Sequence, residues 1–212
     1  MRVQSFMEGA DLLKEQGYTM AANPKVFKDW AKFCNSATGR GNMNAELAVS
    51  LGPIFFSPRL IKARLEVLGL SPAYYLRMNP AARAMALKTM GRFMASTSLI
   101  IGMAALYYNY FDDDDETSVD LDPRSTDFAK IKLGNTRLDI TGGMAVYHRT
   151  IAQFWSGQKK SPITGRIEDL NQGFGKTTRK DVAEKFFTNK LSPLPSKFYQ
   201  WSALTETEKT KD

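Results

Sequence analysis

Phe93-Met94-Ala95-Ser96-Thr97-Ser98-Leu99-Ile100-Ile101-Gly102-Met103-Ala104-Ala105-Leu106-Tyr107-Tyr108-Asn109-Tyr110-Phe111 is a run of nineteen residues without a charge. As an α-helix it extends ~28 Å, close to the roughly 30 Å hydrocarbon thickness of a bilayer. Arg77, Arg83, Lys88 and Arg92 precede it, Tyr107, Tyr108, Tyr110 and Phe111 crowd its end, and Asp112-Asp113-Asp114-Asp115-Glu116 follow. Those flanks are those of a membrane segment whose N-terminal side is cytoplasmic. Ser98 and Gly102, four apart, form a small face for helix association. Ser96, Thr97, Ser98 and Asn109 dilute the apolar character, so a central helix buried by its own chain fits the same pattern. The choice between lipid and protein surroundings turns on Leu99, Ile100, Ile101, Gly102, Met103, Leu106, Tyr107 and Tyr108.

Charge divides the rest of the 212 residues, which carry a formal +7. Residues 1–90 hold twelve Lys/Arg against six Asp/Glu, residues 112–127 eight acids against Arg124 alone, and residues 128–212 fifteen bases against eight acids. The chain is therefore basic, apolar, acidic and basic in turn, a balance that suits nucleic acid, anionic lipid or an acidic protein. With 43% hydrophobic residues it has the composition of a folded protein. One cysteine, Cys34, and one histidine, His148, rule out an internal disulfide and any zinc site built from Cys and His clusters.

Helix starts are marked by Asn23-Pro24, Ser57-Pro58 and Asn79-Pro80, where proline fits the first helical position. They predict helices from Pro24 to about Ser36, from Pro58 to about Leu68, and from Pro80 to about Tyr110, with a short helix at Asn44–Leu51. Met1–Leu12 mixes Arg2, Glu8 and Asp11 with apolar residues and does not have the pattern of a secretion leader. Phe128–Leu133 and Thr136–Ile140 alternate around Gly134-Asn135, which predicts a β-hairpin. Met144–Trp155 reads as a helix, residues 156–176 as a long basic loop, and Thr177 or Thr178 as the cap of a helix to about Leu191. The expected segments are an N-terminal arm (1–22), a helical region (23–111), an acidic linker (112–127), the hairpin with C-terminal helices (128–204) and a frayed tail (205–212). The expected fold class is mainly α, a multi-helix assembly with a long central apolar helix and one β-hairpin.

Few residues suggest catalysis. Gly173-Phe174-Gly175-Lys176-Thr177-Thr178 is not a phosphate loop, because the earlier glycine that the pattern requires is Leu170. Asp112–Asp115 and Glu116 lack the alternation and glycine of a calcium loop and read as solvated. Lys159, Lys160, Arg166, Lys176, Arg179 and Lys180 form a candidate basic patch for phosphates. Phe55, Phe56, Tyr74, Tyr75 and Trp201 are candidate interface anchors. Asp120, Asp122 and Asp127 are the acids a magnesium-dependent nucleic-acid enzyme would use. No cofactor is called for.

Leu121-Asp122-Pro123-Arg124-Ser125-Thr126-Asp127-Phe128, continuing through Lys130-Ile131-Lys132-Leu133-Gly134-Asn135-Thr136-Arg137-Leu138-Asp139-Ile140-Thr141-Gly142-Gly143, resembles an associated domain of the large polyvalent proteins of phages and mobile elements. Thr164-Gly165-Arg166, Gly173-Phe174-Gly175, Asp181 through Pro193, Gly39-Arg40-Gly41 and Phe55-Phe56-Ser57-Pro58-Arg59-Leu60 are similar too, so the likeness covers about residues 25–200. It implies a phage or prophage origin, within the virion or delivered with its DNA, and assigns no catalytic residue. The expectation is a non-enzymatic internal or ejection-type virion protein that also reaches the host cell envelope during infection. Its expected partners are other virion proteins or copies of itself, with DNA and host membrane. A scaffold module forming an oligomeric virion assembly and the magnesium enzyme are the alternatives.

Overall fold

The computed structural model describes residues 2–110, 117–161, 164–171 and 177–197. The chain is 59% helical, so the mainly α class holds, and its strands form two small antiparallel sheets. It divides into two compact units, residues 1–92 with 190–212 and Phe93–Asn189.

The first unit contains α1 (Arg2–Glu15), α2 (Pro24–Ala37), α3 (Ala45–Leu51), α4 (Pro58–Val67), α5 (Pro72–Leu76) and the first part of α6 (Pro80–Tyr110). Proline within the first two positions of α2, α4 and α5 pre-sets the helical φ. Asn44 caps α3 by accepting hydrogen bonds from the Glu46 and Leu47 amides at 2.7 and 3.3 Å. The apolar face of α2, Val26, Phe27, Trp30, Phe33 and Cys34, is buried against Ala10, Leu13, Met78, Ala82, Met85 and Ala86. Trp30 and Phe33 stack with ring centroids 5.4 Å apart.

Within the expected N-terminal arm, Arg2–Glu15 form α1, whose Leu13 is completely buried. Gly9 sits directly on the Trp30 ring, and the Trp30 indole donates to the Phe6 carbonyl at 3.2 Å. This helix opens with neither a capping residue nor a proline, so its start carries no local signal.

The second unit begins with the apolar part of α6 and adds β1 (Thr117–Val119), β2 (Lys130–Leu133), β3 (Thr136–Asp139), α7 (Ala145–Ser156), β4 (Gln158–Lys160), β5 (Ile167–Asp169) and α8 (Arg179–Thr188). The expected hairpin is β2–β3, with Ile131 opposite Leu138, and β1 extends it in the order β1-β2-β3. The Asn109 side chain holds β1 as a neighbouring strand would, accepting from the Val119 amide at 3.2 Å and donating to its carbonyl at 3.1 Å. Ile101 and Ala105 of α6 pack with Val119, Ala129 and Ala145.

The expected loop at 156–176 contains the β4–β5 ribbon, which begins where left-handed Gly157 (φ +68°) ends α7. Lys159 pairs with Glu168 across it, a favourable opposite-charge pair. Thr178 and Asp181 cap α8 reciprocally. Within the expected acidic linker, residues 117–127 are structured. The acidic run 112–116 and the tail 205–212 lie outside the described residues. The units divide inside α6 at 92/93, not at the charge change near 111, because charge marks where water is and not which side chains pack together.

Candidate functional site

At 3.6 residues per turn, the uncharged part of α6 has two apolar faces. Ile101 and Ala105 are buried, with Ala104 and Tyr108 beside them. On the opposite face Leu99, Met103, Leu106 and Tyr110 recur at spacings of four, three and four, flanked by Ile100 and Tyr107. Leu99 is 63%, Met103 55%, Leu106 56% and Tyr110 80% exposed. A helix wrapped on all sides by its own chain would bury both faces. Here only 17% of the apolar stretch is buried, in a 31-residue helix long and apolar enough to cross a membrane by length and composition. Of the candidate membrane residues, Ile101 and Tyr108 therefore serve the core, and Gly102 lies between the faces. Phe111 lies outside the described residues.

The candidate basic patch is partly spent on structure. Lys160 forms an ion pair with Asp120 at 2.9 Å, and the Arg179 guanidinium donates to the Phe154 carbonyl at 3.1 Å. Arg166 and Lys180 are exposed, whereas Lys176 lies outside the described residues. The chain instead gathers Arg149 from α7, Lys159 from β4 and Lys185 from α8 around one cavity of about 230 Å³, with Asp181 as its acid. Asp181 is engaged by the Thr178 amide at 2.7 Å. Burial pushes the Arg149 guanidinium down, although Asp127 acts the other way. Arg149 and Lys185 went unrecognised in the sequence, since only the packing of α7 on α8 brings them to Lys159.

Among the interface anchors, Phe56 is 77% exposed and Phe55 forms a bridge with Leu191. Tyr74 and Tyr75 pack against the first unit's core, edge to face at 5.1 Å, and the Tyr75 hydroxyl donates to the Val67 carbonyl at 2.8 Å. Burial raises both phenols, Tyr75 to about 12. These two are half-buried, with their rings committed to the packing around that core. Trp201 lies outside the described residues.

The three acids of the magnesium alternative are each held by a base. Asp120 pairs with Lys160, and Asp127 with Lys130 and Arg137 at 3.2 and 3.1 Å. Asp122 receives the Arg124 guanidinium on both oxygens at 3.0 and 2.8 Å. That fork holds the Asp122 carboxyl at about 2, against the opposing effect of burial. Among the described residues, no group of three or more His, Cys, Asp or Glu side chains is placed to hold a metal ion. Cys34 is buried, and burial lifts its thiol to about 11, so it packs as a small apolar residue.

No protein-family model, curated protein or solved structure matches this chain.

Proposed function

We propose that this chain is a non-enzymatic internal or ejection-type virion protein of a phage, which accompanies DNA and associates with the host membrane through α6 during genome delivery. The exposed apolar stripe Leu99, Met103, Leu106 and Tyr110 carries the reading. Completing the burial of each side chain is worth about 1 kcal/mol, half of the value for a fully exposed one. Four to six such residues give roughly 5 kcal/mol before association costs, so the stripe alone holds a membrane weakly. The basic excess of residues 128–212, fifteen Lys/Arg against eight Asp/Glu, supplies attraction to anionic lipid, about 1 kcal/mol for each base near the surface. Arg149, Lys159 and Lys185 around their shared cavity support contact with DNA phosphates. Phage origin rests on the resemblance of residues 121–143 and the shorter segments around it. The ion-paired state of Asp120, Asp122 and Asp127 favours a binding role over catalysis.

Flotation with vesicles tests this. Binding is expected to vesicles containing phosphatidylglycerol at low salt, weakly or not at all to neutral vesicles, and to fall at least tenfold in the L99S/M103S/L106S variant with its circular dichroism unchanged. A wild-type chain that stays with the unbound fraction at every salt concentration and at neutral and acidic pH overturns the proposal.

A second reading rests on the spacing of four, three and four along the stripe, which is that of a helix-pairing seam. In it the chain is a self-assembling virion module, and sedimentation would show a concentration-dependent oligomer that the same triple variant dissolves.

A further inference from the structure

The second unit contains a half-open cavity of about 330 Å³ on the packed side of α6, facing the helix α7 and the loop before β2. Its walls are largely apolar, with Phe93, Ile101, Leu121, Phe128 and Met144 among them, and His148 is set into the same wall. We infer that this cavity binds one free medium-length fatty acid, with the alkyl chain among the apolar walls and the carboxyl group on His148. The site lies on the face of α6 opposite the exposed stripe and does not depend on the membrane reading.

Size, shape and polarity each point to that class. The volume is at the lower end of small-molecule sites, which are mostly apolar with few polar groups. At the roughly 30 Å³ that a water-sized atom occupies in a liquid, the cavity holds about eleven non-hydrogen atoms, close to a ten-carbon fatty acid. Gly102 lines the cavity in the middle of the helix, and a Cβ there would meet nothing within 4 Å, so the open space reaches the helix backbone. Glycine there weakens the helix relative to alanine, and what it provides is room. The loop wall includes Ala129, in the left-handed region at φ +57°, whose backbone N–H donates a hydrogen bond to the Asp120 carbonyl at 2.9 Å. Strained residues of this kind cluster at ligand sites.

Thr97, Ser98, Thr141 and His148 are the polar side chains in the wall, and His148 is the nitrogen-bearing one among them. Its Nδ1 lies 3.1 Å from the Met144 carbonyl oxygen, which assigns the proton of the neutral ring to Nδ1. Nε2 has no partner among the described residues. The Thr141 hydroxyl in the same wall is already engaged, donating to the Asp139 carboxylate at 2.5 Å and accepting from the Ala145 amide at 3.0 Å. An imidazole with Nδ1 anchored presents Nε2 as a fixed position at which a ligand's carboxyl group can hydrogen-bond.

Titration of the whole chain with decanoate, followed by amide and imidazole NMR shifts, tests the assignment. Saturable shifts are expected at residues 93–102 and 141–148, with the His148 Nε2 resonance among them. Gly102→Leu, which fills the space from the helix side, is expected to weaken decanoate at least tenfold, and His148→Ala at least threefold. Both variants should keep any vesicle binding of the wild type, because the exposed stripe is untouched. Ser98→Leu is a second filling variant should Gly102→Leu lose helicity. No saturable shift in the wild type, shifts that map elsewhere, equal decanoate affinity in a folded filling variant, or protection of these amides by vesicles but not by decanoate would each overturn the inference.

Discussion

The Asp29 carboxylate accepts a hydrogen bond from the Asn79 backbone amide at 2.9 Å, tying the middle of α2 to the residue that opens α6. Asn79 in turn accepts from the Ala81 amide at 3.0 Å, so an amide at the start of α6 is satisfied by its own cap and another by α2. Asp29 is 4% exposed and lies 3.4 Å from both Lys25 and Lys32.

Burial opposes ionisation of Asp29, yet the Asn79 amide and the two lysines outweigh it and hold the carboxyl below its ordinary value of 3.8. A depressed carboxyl stabilises the fold fully above its unfolded value, and that stabilisation is lost as pH falls through the native one. Urea denaturation of the wild type should therefore show stability declining below about pH 4. Asp29→Asn should flatten that decline, and Asp29→Ala should cost about 2–3 kcal/mol at pH 7.

Glu66 is the centre of a buried network. It accepts from the Ser36 hydroxyl at 2.6 Å and from the Asn42 amide at 3.2 Å, while Asn42 also donates to Ser36 at 3.3 Å. Glu66→Ala removes the acceptor of the fully buried Ser36 hydroxyl and is expected to cost about 3 kcal/mol. Ser36→Ala removes one donor and leaves Glu66 with Asn42, so about 1–2 kcal/mol is expected. The double variant should be less destabilised than the sum of the two, which a double-mutant cycle in urea measures.

Gly9 permits α1 to lie on α2. A Cβ at that position would come within 2.2 Å of the Trp30 ring, whose indole is anchored to the Phe6 carbonyl. Gly9→Ala should cost about 2 kcal/mol or more despite the better helix propensity of alanine. Thermal unfolding of Gly9→Ala beside Gly91→Ala, a glycine inside α6 where a Cβ would meet nothing within 4 Å, separates the clash from the gain in helix propensity.

The two faces of α6 should respond oppositely. Ile101→Ala opens space in a packed core and is expected to cost about 2–4 kcal/mol. Leu99→Ser and Met103→Ser remove side chains that are mostly in water and should change stability by less than about 0.5 kcal/mol each. Gly102→Ala should stabilise the helix by roughly 0.5–1 kcal/mol.

Much of this fold was legible locally. Asn-Pro and Ser-Pro pairs mark helix starts because the fixed φ of proline and the missing amide suit a first turn, and α2, α4 and α6 begin there. The β2–β3 turn at Gly134-Asn135 was legible for the same kind of reason, since its first residue sits at positive φ, +56°, where glycine fits without strain. Helix α1 and the strands β1, β4 and β5 were not legible. β1 is held by Asn109 and β2, and β4 by partners seven to eleven residues away, contacts that three-residue segments do not announce.

The candidate sites divide in the same way. Composition alone determined that residues 93–110 form a long uncharged helix, because a run without charge or proline has few other stable forms. Its amino acids are apolar on both sides, however, and the spacing of hydrophobic residues is silent about which side meets the core. Only the tertiary structure decided that Ile101 and Ala105 are covered while Leu99 and Met103 are not, since that depends on where β1, Ala129 and α7 return to the helix. The gathering of Arg149, Lys159 and Lys185 was settled there too, because a convergence of charges from three elements is a property of packing distances and leaves no trace in the order of residues.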